Sequence, residues 1–168
     1  MSHFQVPIRP LTREAFQYYG DVVQVAGSPH HTINQGWAER YSDLARLDVG
    51  EQGGRFSLGI VRAEPRPLPL RIKLMERHPM SSQFFVPLAP RPFLVVVAPP
   101  GHAPKPEDVT AFRTVAGQGV NYHRGVWHHP LIALDQSTDF LVVDRRGEGE
   151  NCDEVEFKTV EIWIGEQD

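Results

Sequence analysis

The chain has 168 residues, 40% of them hydrophobic and 23% charged, enough apolar side chain for one packed core; disorder is excluded, and so is a spanning helix, which needs roughly 20 consecutive apolar residues. Lys and Arg number 17 against 21 Asp and Glu, and the net charge of −4 is spread with both signs interspersed, which argues against a nucleic-acid partner. A single cysteine, Cys152, excludes an intrachain disulfide and any zinc site built on two thiolates; with no apolar leader in Met1 to Pro10, the reading is a cytoplasmic protein of one domain, residues 1–168, with no membrane segment.

Fifteen Pro and 14 Gly cut the chain into short pieces and favour an all-β barrel or sandwich. In chain order, Thr12 is placed to cap a helix over residues 13–19 that Gly20 ends. Strand-like runs follow at 55–63, 70–77, 83–88 and 92–98. The last of these, Phe93-Leu94-Val95-Val96-Val97-Ala98, is apolar throughout and suits a central strand covered on both faces. A Pro-rich surface loop at 99–106 leads to a second short helix over 107–113, and further strands are expected at 126–134, 139–144 and 155–164, with 144–156 as a solvated loop.

Two segments carry chemistry. In Leu70 to His78, alternation puts Leu70, Ile72 and Leu74 on one face; if that face is the interior and the register holds, Glu76 and His78 also point inward. In Gly117 to Pro130, a glycine-rich turn enters a strand with adjacent His128 and His129, of which only one can face the same cavity. Trp127, Phe84, Phe85, Phe93 and Phe140 read as packing. His3, His30, His31 and His102 lie in terminal or loop segments without partners at ligand spacing.

These segments resemble the cupin motifs. Gly117, His123-Arg124-Gly125 and His128 follow the second motif, with His123 in the place of its Pro. Glu76-Arg77-His78 followed by Gln83 keeps the spacing of the first motif, His-x-His and then Glu, with Glu for its first His and Gln for its Glu. More narrowly, the chain is similar to the ureidoglycolate lyase family. The matching blocks are 11–16, 19–22, 33–36, 39–41, 43–45, 76–79, 82–84, 118–130, 139–145 and 151–153; Asn121 to Pro130 is the most specific, and Ser42 stands where that family has His.

The resemblance implies a cupin-type double-stranded β-helix, a jelly-roll barrel with one or two short helices, assembled as a homodimer. It implies release of urea and glyoxylate from ureidoglycolate, a step of allantoin breakdown. That substrate is a hemiaminal, so cleavage needs a base for its hydroxyl, stabilisation of the developing oxyanion and an acid for the leaving nitrogen. Glu76, His78 and His128 are the expected catalytic residues and the ligand set for a divalent metal, with nickel favoured and a metal-free enzyme the alternative within the family. His123 is the expected free acid or base; Arg40 and Arg124 are candidates to grip the substrate carboxylate, and Asn34 and Gln83 to bond its urea group. Two other readings stand beside this one: an iron-dependent cupin dioxygenase using the same three residues, and a non-catalytic small-ligand-binding cupin.

Overall fold

A computed structural model describes residues 2–165. As the punctuation of the sequence predicts, the chain is nearly all β, with one short α-helix. A seven-stranded sheet centres on Phe93–Ala98, flanked by Thr110–Arg113 on one side and by Trp127–His128, Leu74–Arg77 and Asp153–Glu156 on the other. A five-stranded sheet runs in the order Gly20–Val23, Gly119–Tyr122, Gln83–Pro87, Thr138–Arg146, Arg55–Ala63. A third sheet joins Ser2–Val6, Val160–Ile164 and Leu70–Ile72, its first pair parallel.

Period-two alternation along Phe93–Ala98 feeds two cores. Phe93, Val95 and Val97 meet Phe85, Val120, Tyr122, Phe140 and Val142 between the two larger sheets, while Leu94, Val96 and Ala98 meet Ile72, Ile162 and Ile164 beneath the third. Every residue of this strand is buried, as its unbroken apolar composition requires.

Several expected elements differ. The helix stops at Phe16; Thr12 caps it, accepting from the Ala15 amide at 3.1 Å, but Gly20 opens a strand instead of ending the helix. Residues 107–113 form a 3-10 turn, Pro106–Asp108, and then strand Thr110–Arg113, because pairing with Phe93–Ala98 outweighs local helix preference. The expected strand 126–134 is two short pieces separated at His129 to Leu131, and 144–156 contributes strand at both ends. Phe84, opposite Asn121, faces outward from the core it was expected to join.

The segment 70–77 breaks at Lys73, where Leu70–Ile72 leaves for the third sheet. Facing parity therefore reverses: Leu70, Ile72 and Met75 share the outer core, so the expected common face of Leu70, Ile72 and Glu76 is incorrect. Glu76 nevertheless faces inward, because it pairs directly with His128, which pairs with the inward Val97.

Candidate active site

Strand pairing assembles the site. Glu76 and His128 sit opposite each other on adjacent strands, and His78 follows on the face of Glu76 just beyond the end of its strand. One ligating atom from each of Glu76, His78 and His128 lies within 4.8 Å of the other two. Glu76 Oε1 is 3.4 Å from His128 Nε2 and 3.9 Å from His78 Nε2. Gln83, the fourth position of the cupin pattern, brings its side-chain amide 3.0 Å from His78 Nε2.

Both imidazoles are oriented from behind. His128 Nδ1 donates to the Val126 carbonyl at 3.1 Å and His78 Nδ1 to the Asn151 carbonyl at 2.7 Å. With its hydrogen placed on Nδ1, the His128 ring turns a bare Nε2 lone pair toward the Glu76 carboxylate, while His78 Nε2 faces the Gln83 side-chain oxygen at 3.0 Å. The His128 side chain is 2% exposed and its Nε2 has no hydrogen-bond partner, since Glu76 is near but not aligned for one. Tyr122 stacks on the His128 ring, with centroids 4.3 Å apart and planes 13° from parallel.

The charges follow from this packing. Burial holds the His128 imidazole below its ordinary pKa, so it stays neutral at pH 7. A proton shared between Glu76 and His128 favours the charged carboxylate, and this hydrogen bonding outweighs burial, so Glu76 is held below the usual carboxylate range, with His78 adding to the effect. Burial, and secondarily the Glu76 charge, raises the Tyr122 phenol, which stays protonated. Electron-rich atoms thus converge on one point, an arrangement that a divalent cation or a shared proton reconciles. One carboxylate, two imidazoles and a neighbouring amide oxygen fit such a cation.

The other expected residues lie elsewhere. His123 follows Tyr122 but belongs to the opposite side of the sheet, where its Nε2 donates to Asp21 at 3.0 Å. Arg124 is engaged by Asp48, at 2.8 and 3.0 Å, and by Glu51 at 2.8 Å, so its guanidinium is already neutralised. Asn34 and Arg40 lie on an exposed two-stranded hairpin, His31–Ile33 with Ala38–Arg40. His129 is buried and turns its Nδ1 to the Pro130 carbonyl at 2.7 Å, which leaves His128 as the inward member of the pair.

Two contributors were not read from the sequence. Tyr122 carried a readable signal, since Val120 and Tyr122 alternate with Asn121 toward the core. Asn151 carried none: its carbonyl fixes His78 across 73 positions, and its side chain accepts from the Met80 amide at 2.8 Å and donates to Ser81 Oγ at 2.9 Å.

Comparison with known proteins gives the chain its relatives. The chain is 48% identical over 157 residues to a protein of Pseudomonas putida named ureidoglycolate lyase, covering 94% of each chain. It is 49% identical over 157 residues to that of Pseudomonas savastanoi pv. phaseolicola, covering 94% of this chain and 92% of the relative. It is 52% identical over 147 residues to that of Pseudomonas aeruginosa, covering 88% and 87%. A family profile described as ureidoglycolate lyase matches residues 3–164, end to end across the sheets that build the Glu76, His78 and His128 cluster, and the chain therefore belongs to the ureidoglycolate lyase family.

Proposed function

We propose that this chain cleaves ureidoglycolate to glyoxylate and urea, at the cluster of Glu76, His78, His128 and Gln83. The observation that carries the reading is the convergence of a charged carboxylate and the bare, unpartnered Nε2 of His128 at one point inside the fold of this family. Glu76 Oε1 is turned to the histidines, while Oε2 lies on the side of exposed Cys152, 4.0 Å from its sulfur. Oε2 is then the base that takes the hydroxyl proton of the hemiaminal. As the C–O bond becomes a carbonyl, the C–N bond breaks and its electron pair leaves on the urea nitrogen. Glu76 returns the proton to that nitrogen, so atoms and charge balance. The Gln83 amide, beside His78, supplies hydrogen bonding to the oxyanion or the urea.

A divalent cation held by Glu76 Oε1 and the Nε2 atoms of His78 and His128 would supply Lewis-acid stabilisation of the developing oxyanion. Nickel is the ion the family resemblance favours. The chain works in this reading as one domain, as a homodimer and in the cytoplasm. Homodimer formation is supported by Phe56, Leu58 and Ile60, which are 60%, 71% and 64% exposed on the unpaired edge strand of the five-stranded sheet.

The test is incubation with racemic ureidoglycolate and parallel assay of glyoxylate, urea and ammonia, corrected for spontaneous decay. Glyoxylate and urea in equal amounts without ammonia are expected, and His128→Ala lowers the rate by more than roughly a hundredfold. No acceleration of decay by the native protein rules the reading out.

A further inference from the structure

On the outer side of the five-stranded sheet, away from the Glu76 cluster, lies a cleft of about 410 Å³. Its wall combines Arg13 of the short helix and Gln17 just after it, the first strand of that sheet (Gly20, Asp21), His30 and the run Tyr41 to Leu44, and His123 reaches into it. Asp21 is an organised acceptor: one carboxylate oxygen takes the Arg46 amide and the Asn121 side chain, each at 2.9 Å, and His123 Nε2 at 3.0 Å. Asn121 is fully buried and opposite Asp21 in register, so this acceptor is held from beneath the sheet surface. Because its Nε2–H is committed to Asp21, His123 presents Nδ1 as an acceptor.

Donors line the same cleft. His30 Nδ1 accepts from the Ser42 amide at 3.1 Å, which leaves its Nε2–H and the Ser42 hydroxyl available. Arg13 is exposed and has no ion-pair partner among the described residues, unlike Arg124, which is bound by two carboxylates. Asp43, also in the wall, is held with φ of 55°, a left-handed conformation that a non-glycine residue adopts at a cost.

A cleft with one free guanidinium, imidazole and hydroxyl donors, and a fixed pair of acceptors matches a particular ligand chemistry. We propose that it binds a small carboxylate that also carries N–H or O–H donors, with Arg13 taking the carboxylate and the Asp21–His123 pair accepting from the donors. This site is distinct from the Glu76 cluster and does not depend on the lyase reading. Ureido acids, of the class to which ureidoglycolate belongs, and short hydroxy acids both have this chemistry.

The probe is N-carbamoylglycine, which has the carboxylate and the urea but no hydroxyl to lose. It is titrated into the native protein and followed by backbone amide NMR, with glycolate and acetate as parallel arms. Saturable shifts at Gly20, Ser42 and Asp43 are expected, unchanged in His128→Ala. Arg13→Ala, an exposed substitution, is expected to weaken binding about tenfold, the worth of one charge-assisted pair. Asp21→Asn is expected to do the same, and acetate to bind more weakly than either donor-bearing acid. A stronger response to N-carbamoylglycine than to glycolate assigns the site to ureido acids, and the reverse order to hydroxy acids. Shifts confined to Glu76, His78 and Gln83, or native affinity in Arg13→Ala, overturn the proposal. Turnover of ureidoglycolate on the same samples separates the two readings: absent turnover with intact shifts at Ser42 removes the lyase and leaves this cleft standing.

Discussion

His128 shows how much a single ring is asked to do. Its Nδ1 is fixed by the Val126 carbonyl, its face by Tyr122, and its Nε2 is left without a partner in a nearly closed environment. A buried polar atom left unpaired costs on the order of 1–3 kcal/mol, and the arrangement makes sense if a cation or substrate recovers that energy. The stack predicts a split between two substitutions. Tyr122→Phe keeps the ring over His128 and should retain metal affinity, whereas Tyr122→Leu should weaken it roughly tenfold, read by metal titration. Acid sensitivity follows from the same burial. His128 and His129 are both held below the ordinary imidazole value by desolvation, so near pH ~6.5 the unfolded chain binds protons that the folded chain refuses. Stability is therefore complete above that value and falls as the pH drops through it. Asp21 extends the loss to lower pH: burial opposes its charge, but bonds from Asn121, the Arg46 amide and His123 outweigh burial and hold the carboxyl below its usual range. Denaturant midpoints at pH 7.5 and 5.5 check this; equal midpoints would contradict it.

At the scale of elements, the close approach of Gly20–Val23 to Gly119–Tyr122 is set by a missing side chain. A Cβ on Gly20 would overlap the Asn121 carbonyl oxygen. Gly20→Ala should accordingly cost about 1–3 kcal/mol, read by equilibrium unfolding, and should disturb Asp21 and Asn121 next to it. Here the sequence was legible in one sense and silent in another. Gly20 stood out as punctuation, but its role as the packing point of a strand depends on a partner about 100 positions away. Likewise Phe93–Ala98 could be read as a doubly covered strand from composition alone, and the inward set of Glu76, His78 and His128 from motif spacing. The break at Lys73 could not be read, because both halves look like strand and only the choice of sheet reverses their faces. Arg124 looked free for the same reason: its carboxylate partners, Asp48 and Glu51, lie in a loop more than 70 positions earlier.

For the whole molecule, the exposed edge is the feature that departs furthest from a solitary globule. Arg55–Ala63 is nine residues long, pairs on one side with Thr138–Arg146, and presents Phe56, Leu58 and Ile60 on the face away from the core. An unpaired edge of that length and apolarity invites another copy to cover it. Light scattering after size exclusion should give the native chain the mass of a dimer and the Leu58→Lys, Ile60→Lys variant that of a monomer. A monomeric native chain would refute the dimer, and a dimeric variant would place the contact elsewhere.

The third sheet carries a different consequence, one of timing. Ser2–Val6 lies beside Val160–Ile164, so the layer over Leu94, Val96 and Ile132 is closed by strands from opposite ends of the described chain. Loop-closure entropy makes such a pairing a late event and a readily lost one. Thermal fluctuation should peel this layer as a unit, leaving the two larger sheets and the Glu76 cluster between them intact. The Glu76 cluster thereby lies between the two larger sheets, with the joining of strands from opposite ends of the described chain serving as their outer seal.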